Sequence, residues 1–514
     1  MKHSKKLASL LLALVMALSL AVTAFADEST TYSITINNST AGHTYEAYQI
    51  FTGDLATNEA GNKVLSNIVW GSGVSEAGQT ALGDAAAKAE TLKTEADAKA
   101  FAKAVAPYLT TAAGSANTVT DGKYVISGLA AGYYLVKDQD GSLTGDNDSY
   151  TEYIIQVVGN VTATPKSDVP EVEKKVKDTN DSTGVTSDWQ DSADYDIGDS
   201  IPFQLKATLA DNVSSYTTYK VVFHDTLSKG LTYNNDAKVY IDGTETNGFT
   251  VTATVNADGI TTLTVSCDDV KALGAGNSSV ITVEYTAKLN ENAVLGSAGN
   301  PNEVYLEYSN NPNKSEEGNN ETGETPKDVV IVFTYKTIIN KVDSETKPLT
   351  GAAFKLEKLI KGEDGAADTW TTVKEFAVDG TTTSFTFSGL DDGQYKLTET
   401  KTPVGYNTID PIYFVIEATH GETADVPTLK TLNAYLTDAN GNKQTEMKDG
   451  ESVNIDLGTV DLTAGSITTT VVNKSGSELP STGGIGTTIF YVLGGVLVLA
   501  AVVLLVTKKR MGNN

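Results

Sequence analysis

The chain has 514 residues, enough for about three domains, and a formal net charge of −27 at pH 7. Such an acidic surface argues against nucleic acid or an anionic membrane as a partner. The single cysteine, Cys267, excludes an intrachain disulfide. It shares one strand face with Leu263 and Val265, which predicts a buried structural thiol.

The N-terminus has the pattern of an export signal. Three lysines among the first six residues precede an apolar stretch that starts at Leu7 and ends in Ala24-Phe25-Ala26. A basic start, an apolar centre and a small-x-small end are typical of a secretory signal peptide. We therefore expect residues 1–26 to be removed after Ala26, and the mature chain to begin at Asp27.

The first domain, residues 27–165, is predicted to be a β-sandwich with a helical insertion. Short alternating segments rich in Thr, Val and Tyr favour stacked β-sandwiches throughout the chain. The Ala/Glu/Lys-rich stretch Ala81–Tyr108 predicts one or two helices within this β framework. Gly128–Tyr134 (GLAAGYY) is echoed by Gly389–Tyr395 (GLDDGQY), so domains one and three are expected to share one sandwich type.

A short linker, residues 166–170, follows the first domain. Pro165 and Pro170 frame it and favour an extended, exposed backbone around Lys166. The Pro165-Lys166 pair resembles the pilin motif of backbone subunits in sortase-assembled pili, with Thr164 where that family has tyrosine. The resemblance implies that Lys166 attacks the acyl-sortase intermediate of another subunit.

The second domain, residues 171–328, contains a lysine predicted to face the core. In Val172-x-Lys174-x-Val176 the lysine shares a face with two valines, while Lys175 faces the other side and remains the competing choice. The polar stretch Asn310–Lys327 is predicted to be a loop or linker.

Two further segments of this domain carry a family resemblance. The segment from Val222 to Tyr233 resembles the D-x-L-x-x-G-L segment of isopeptide-forming fimbrial domains, and Pro301–Val304 resembles the last-strand N-x-V of that family. The resemblance implies Lys174 as nucleophile, Asp225 as acid and Asn302 as acceptor.

The third domain, residues 329–475, is predicted to begin with one continuous strand, Val329–Lys341, in which Lys341 faces the core. Burial lowers the pKa of a lysine and raises that of a carboxylic acid, so a neutral amine can attack a nearby asparagine amide. Tyr395–Tyr406 resembles the YxLxETxAPxGY box of collagen-adhesin B-type domains, with Thr402 where alanine is usual. The resemblance implies Lys341 as nucleophile, Glu399 as acid and Asn473 as acceptor.

The predicted cross-links differ between domains. Each would close a ring of about 130 residues, worth roughly 5 kcal/mol if the loop-entropy relation for disulfides applies, and would carry tension from first to last strand covalently. In domain one Asp138 takes the place of Glu399 in the echo, but the first strand, around Tyr32–Asn38, has no lysine. We therefore expect domain one to lack a cross-link and to be the least stable of the three.

The C-terminal segment, residues 476–514, has three parts in a fixed order. Leu479-Pro480-Ser481-Thr482-Gly483 precedes an uncharged apolar run of 23 residues, 485–507, and then Lys508-Lys509-Arg510. The run is long enough to cross a bilayer, with the basic end held in the cytoplasm. This order resembles the cell-wall sorting signal of Gram-positive surface proteins. The resemblance implies transient membrane insertion and sortase cleavage between Thr482 and Gly483.

Together these resemblances imply a rod of tandem immunoglobulin-like domains, similar to the major pilins of Gram-positive bacteria. Thr482 of one copy would join Lys166 of the next, and the fibre would be attached to the cell wall. The implied partners are a pilin-class sortase, a housekeeping sortase, other copies of the chain and peptidoglycan. Minor pilins and host or bacterial surface ligands are further candidates.

Two other hypotheses stay open. One is a wall-anchored adhesin with a cross-linked stalk that is never polymerised. The other is an enzyme on a stalk, which is disfavoured because the chain shows no Ser/His/Asp triad, zinc-ligand spacing or Gly-rich phosphate loop. No cofactor or metal is expected, and the acidic segments 138–148 and 178–181 are interpreted as solvated loops.

Overall fold

The computed structural model describes residues 31–58, 61–143, 147–165, 168–316, 318–444 and 457–476. It confirms the predicted fold class, three β-sandwich domains in tandem with helices in the first. The signal peptide, Lys166 and the sorting signal with its apolar run 485–507 lie outside the described residues. Within the described ranges, no helix has the length and apolar character needed to span a bilayer.

Domain one consists of two packed sheets. One has the strand order β5-β1-β8 and the other β3-β2-β6-β7, with β4 beside β2. Side chains from both sheets, among them Ile34, Tyr45 and Tyr124, are fully buried between them. The strands are β1 (Tyr32–Asn37), β2 (Tyr45–Thr57), β3 (Lys63–Trp70), β4 (Gly114–Ala116), β5 (Lys123–Leu129), β6 (Gly132–Asp138), β7 (Glu152–Val157) and β8 (Val161–Ala163).

Three short helices, rather than the one or two expected, lie between β3 and β4. They are α1 (Glu76–Leu82), α2 (Ala85–Thr91) and α3 (Glu95–Val105), and a 3-10 turn, Ala106–Tyr108, follows. Ser75, Asp84 and Thr94 each accept a hydrogen bond from a backbone amide in the first turn of the following helix. Each N-cap begins a new helix, so a continuous stretch of helix-forming residues is divided into three helices.

Domain two is the largest sandwich. Its seven-stranded sheet has the order β12-β25-β21-β14-β19-β18 with β24 beside β21, and its six-stranded sheet β17-β16-β20-β13-β9 with β15 beside β20. Alternating burial along β13 and β20 places their apolar side chains in one core between the sheets, where Cys267 is also buried, as predicted.

The strands of domain two are β9 (Glu171–Val176), β10 (Thr179–Asn180), β11 (Val185–Thr186), β12 (Ser192–Asp194), β13 (Ser200–Thr208), β14 (Val221–Leu227), β15 (Leu231–Tyr233), β16 (Lys238–Ile241), β17 (Thr244–Thr246), β18 (Thr250–Val255), β19 (Thr261–Cys267), β20 (Val280–Leu289), β21 (Asn300–Ser309), β22 (Ser315–Glu316), β23 (Asn319–Asn320), β24 (Thr322–Glu324) and β25 (Asp328–Phe333). Two 3-10 turns, Val213–Ser215 and Val270–Leu273, lie between them.

Domain three has sheets of order β29-β26-β34-β33 and β28-β27-β30-β31-β32. Its strands are β26 (Tyr335–Asp343), β27 (Ala353–Ile360), β28 (Thr369–Glu375), β29 (Ser384–Leu390), β30 (Gly393–Lys401), β31 (Ile412–His420), β32 (Leu429–Thr437), β33 (Thr459–Asp461) and β34 (Ser466–Asn473), with a 3-10 turn at Glu363–Gly365. The first strand runs parallel to the last in domain three (β26 and β34) and in domain one (β1 and β8). The shared strand order supports the echo seen in the sequence.

The junction between domains two and three differs from the expected one. The predicted strand Val329–Lys341 is two strands, β25 in the seven-stranded sheet of domain two and β26 in domain three, separated by Thr334. Thr334 is fully buried, and its hydroxyl donates to the Leu390 carbonyl. The polar stretch before β25 is not a plain loop, because it contains β22, β23 and β24. Domain two thus extends to residue 333.

Candidate functional site

Domain two brings its predicted reactive residues together in one buried cluster. Lys174 on β9 lies in the six-stranded sheet, and Asp225 on β14 and Asn302 on β21 lie in the facing sheet; all three are fully buried. Lys174 Nζ donates to Asp225 Oδ1 at 2.5 Å. The amine, the acid and the amide therefore meet at the centre of the sandwich.

Tyr285 on β20 completes this set and was not anticipated from the sequence. Its hydroxyl donates to Asp225 Oδ2 at 2.5 Å and accepts from Lys174 Nζ at 3.2 Å and from Asn302 Nδ2 at 2.8 Å. The alternation of Val283, Tyr285 and Ala287 was the one available signal that this tyrosine faces the core. Tyr285 thus orients the amide next to the lysine.

Burial shifts the ionisation of this set in the direction that amide attack needs. Desolvation lowers the pKa of Lys174, although the Asp225 charge opposes the shift. Desolvation raises the pKa of Asp225, again with Lys174 opposing. Both shifts favour a neutral amine beside a protonated acid. Asn302 Oδ1 has no hydrogen-bond partner among the described residues, so the acceptor carbonyl is open to a proton donor.

Lys175, the competing lysine, has a different environment. Its side chain is about 30% exposed, and its ammonium pairs with Asp191. That pairing raises the pKa of Lys175 although burial alone would lower it. A charged, partly exposed ammonium is a poor nucleophile, so the geometry favours Lys174 over Lys175.

Domain three places a second lysine, acid and asparagine at one end of its sandwich. Lys341 and Asn473 lie on the neighbouring parallel strands β26 and β34, and Glu399 lies on β30 in the facing sheet. Asn473 Nδ2 donates to Glu399 Oε2 at 3.0 Å and to the Asn407 carbonyl at 2.8 Å. Asn473 Oδ1 has no partner among the described residues.

The Lys341 amine is held by the backbone. It is fully buried and donates to the carbonyls of Val342 and Val471, at 2.8 and 3.2 Å. Desolvation lowers its pKa, with the Glu399 charge opposing. The domain three set therefore has the same chemical groups as the domain two set. A bond between Lys341 and Asn473 would join two strands of one sheet, whereas a bond between Lys174 and Asn302 would join the two facing sheets.

One expectation about domain two is wrong. Asn302 does not lie on the last strand, because β24 and β25 follow β21 in the chain and pair with it. The N-x-V motif is a local signal, and it says nothing of strands that come later in the same sheet.

Domain one contains a buried ion pair at the corresponding place. The strand registers place Asn38 where domain three has Lys341, and Asp138 where it has Glu399. Asp138 Oδ1 lies 2.7 Å from His43 Nδ1, and Asp148 lies 3.1 Å from Nε2. Burial alone would lower the pKa of His43, but the hydrogen bonds to the two carboxylates raise it to about 9. The acidic run suggested that Asp138 and Asp148 are solvated loop residues, and this interpretation is wrong because both pair with the buried His43.

A third buried lysine, Lys358, was missed by sequence analysis. It lies on β27 and reaches across the domain junction to Asp181 at 3.0 Å and Asp196 at 2.6 Å, and it also pairs with Asp391. Burial alone would lower the pKa of Lys358, but these carboxylates raise it above its ordinary value. Lys358 is therefore an interdomain ion-pair partner rather than a nucleophile.

Comparison with known families supports these assignments of fold. Residues 197–312 match the family described as Gram-positive pilin backbone subunit 2, Cna-B-like domain. Residues 336–430 match the SpaA prealbumin-like fold domain, and residues 471–511 match the LPXTG cell wall anchor motif. The three matches follow one another along the chain in the order expected from the sequence.

Similar proteins match most of the chain. The trypsin-resistant surface T6 protein of Streptococcus pyogenes serotype M6 is 26% identical over 459 residues, which cover 76% of this chain and 77% of the relative. The solved T6 backbone pilin of that serotype superposes with a TM-score of 0.56 at 19% identity, covering 89% of this chain and all of that one. The full-length major pilin SpaD of Corynebacterium diphtheriae has a TM-score of 0.49 at 18% identity, covering 88% of this chain and all of that one.

Proposed function

Because the chain belongs to the backbone pilins of Gram-positive bacteria, anchored to the cell wall as a surface pilus, we propose that its copies are joined through Thr482 of one and Lys166 of the next. Its relatives are structural pilins and not enzymes. The observation that carries the proposal is the joint presence of a backbone-pilin domain and an LPXTG anchor in one chain, with a Pro-Lys linker before that domain.

The proposed joining reaction uses a sortase thiol. The enzyme cleaves the bond between Thr482 and Gly483, and the Thr482 carbonyl becomes a thioester. The Lys166 amine then attacks that carbonyl, an amide forms and the thiol leaves with a proton. A head-to-tail contact of this kind does not close on itself, so it produces an open fibre. A pilin-class sortase would extend the fibre, and a housekeeping sortase would transfer it to peptidoglycan.

We further propose that domains two and three each form an internal isopeptide bond. In domain two the Lys174 amine attacks the side-chain carbonyl carbon of Asn302 while Asp225 donates a proton to the carbonyl oxygen. One proton of the amine passes to Nδ2, the bond to Nδ2 breaks with loss of ammonia, and the carbonyl oxygen returns its proton to Asp225. Lys341, Glu399 and Asn473 have the corresponding roles in domain three. Each reaction occurs once per chain, so it is self-modification and not enzymatic turnover.

The placement of these bonds agrees with the proposed fibre. Lys166 follows β8, the last strand of domain one, and precedes β9, which carries Lys174. Tension between Lys166 and Thr482 passes through domains two and three and bypasses domain one. The two domains with lysine–acid–asparagine sets are therefore those under load, and domain one has no mechanical need of a cross-link.

The polymer is tested by a denaturing immunoblot of cell-wall extracts from the native host. Wild type should give a ladder of high-mass species, and Lys166→Ala should give monomer. Lys63→Ala is the matched control: Lys63 lies in domain one, where it contacts Tyr32, and its loss should leave the ladder intact.

Other outcomes would contradict the proposal. A single wall-linked species in both strains would favour the anchored, non-polymerised adhesin. A ladder that persists in Lys166→Ala would move the attacking amine to another lysine. Binding of host or bacterial surface ligands and of minor pilins is proposed by analogy with the family, and no described residue identifies a receptor.

A further inference from the structure

The junction between domains two and three contains a second group of metal-ligating side chains, apart from the Lys358 ion pairs. Asp178 follows β9, Asp194 ends β12, and His420 ends β31. One ligand atom from each residue, a carboxylate oxygen or an imidazole nitrogen, lies within 4.8 Å of the others. Two ligands come from domain two and one from domain three, so an ion bound here would connect the domains.

The imidazole of His420 is already oriented. Its Nδ1 lies 2.7 Å from the hydroxyl of Ser192, which is fully buried, and its Nε2 faces Asp178, whose Oδ2 is 3.4 Å away. Histidines that bind a metal typically hold one ring nitrogen by a hydrogen bond and present the other to the ion. His420 is itself about 8% exposed, so the ring has little freedom to turn away.

A second observation points to a ligand. Asp194 is only 2% exposed, yet its Oδ2 has no hydrogen-bond partner among the described residues. Asp178 Oδ1 is likewise buried and unpartnered within the described part of the chain. Burying carboxylate oxygens without partners is costly. The neighbouring aspartates Asp181 and Asp196 pair with the Lys358 ammonium, whereas Asp178 pairs with the His420 imidazole and Asp194 lies beside the Tyr335 hydroxyl.

We propose that Asp178, Asp194 and His420 form an interdomain binding site for a divalent first-row metal ion, for which Zn²⁺ is the best fit. Mixed imidazole and carboxylate ligands suit this ion, and three protein ligands leave a position for water. Its charge balances the two carboxylates. Asp178 is the partly exposed member, with 20% of its side chain accessible, and provides the route of entry. The segment 178–181 is therefore not merely a solvated acidic loop.

The test uses the mature chain, residues 27–482, stripped with chelator and then equilibrated with Zn²⁺ in a dialysis titration with elemental analysis. Wild type should bind one Zn²⁺ per chain. His420→Gln and Asp194→Asn should each weaken that binding at least tenfold. His224→Gln is the matched control, because His224 is partly exposed and pairs with Glu307 away from the junction, and it should bind as wild type does.

A milder variant keeps the test valid if a ligand substitution disturbs folding. Ser192→Ala retains all three ligands but releases Nδ1 of His420, and it should weaken Zn²⁺ binding about 10- to 100-fold. Co²⁺ provides a second readout, since its visible absorption should change with His420→Gln and stay unchanged with His224→Gln. The proposal is overturned if wild type binds no stoichiometric Zn²⁺, if His420→Gln binds as tightly as wild type, or if Ca²⁺ competes equally well.

Discussion

Asp225→Asn is the most informative single substitution, because it removes one oxygen from the domain two set and leaves the shape of the side chain unchanged. Asp225 contacts both Lys174 Nζ and the Tyr285 hydroxyl. An amide in its place cannot donate and recover a proton as a carboxylic acid does. We expect Lys174 and Asn302 to stay adjacent and unjoined in this variant.

The loss of stability can be estimated from the ring that the bond closes. Lys174 and Asn302 are about 130 residues apart, for which the loop-entropy relation gives roughly 5 kcal/mol. A domain of this size shifts its unfolding temperature by about 2–4 °C per kcal/mol. The unfolding temperature of domain two should therefore fall by roughly 10–20 °C in Asp225→Asn. It should fall further if keeping the unreacted Lys174 amine buried and uncharged adds to the free-energy cost of folding.

Intact mass is the direct assay. Wild-type mature chain should be lighter than its sequence by about 34 Da, two molecules of ammonia, and Asp225→Asn by about 17 Da. Lys175→Ala is the matched control on the same strand and should keep the full deficit. A wild-type chain of full sequence mass would refute both bonds, and an undiminished deficit in Asp225→Asn would refute the role of this acid.

Three other substitutions probe the remaining buried groups. Tyr285→Phe should still form the domain two bond but more slowly, because Asn302 loses the hydroxyl that holds its amide; a time course of mass loss during refolding would show this, and an unchanged rate would remove Tyr285 from the chemistry. The pKa of His43 is raised from 6.5 in the unfolded chain to about 9 in folded domain one, so the His43 ion pairs stabilise this domain. That stabilisation is fully present below pH 6.5 and is lost as the pH rises through 9. This is worth at most about 3 kcal/mol, so thermal unfolding between pH 6 and 10 should lose this slope in His43→Gln, and equal slopes would contradict the ion pair. Lys358→Met leaves three aspartates unpaired at the junction and should destabilise the chain by about 3–5 kcal/mol in denaturant unfolding, where no change would show that those carboxylates are already protonated.

Much of the architecture could be predicted because its signals are local. Alternation along a strand put Lys174 and Lys341 on the core face, and the echo at Gly389–Tyr395 anticipated a shared strand order. The N-terminal helices were expected from composition, but their number depended on three capping residues that composition does not reveal.

The features that were missed depend on contacts between distant segments. No Gly, Pro, Asn or Asp between Val329 and Tyr335 marks the end of a strand, so only sheet pairing shows that Thr334 divides two strands and that β25 belongs to domain two. Lys358 and Asp391 lie in one domain and Asp181 in the other, and no spacing rule links them. Tyr285 is one of many strand tyrosines, and its role is visible only once Asp225 and Asn302 stand beside it.

The position of β25 gives the proposed fibre a limited elasticity. With Lys174 bonded to Asn302, load leaves the closed ring at Asn302 and must travel through residues 303–333 to reach domain three. That segment is held to the sandwich by the pairing of β21 with β14, of β24 with β21, and of β25 with β21 and β12. If force strips it away, about 30 residues extend at up to roughly 3.5 Å each, or about 100 Å per subunit, while the ring stays closed. Each subunit could then lengthen reversibly by a fixed amount. A shaft of many subunits could extend under a sudden pull and shorten again without breaking a covalent bond.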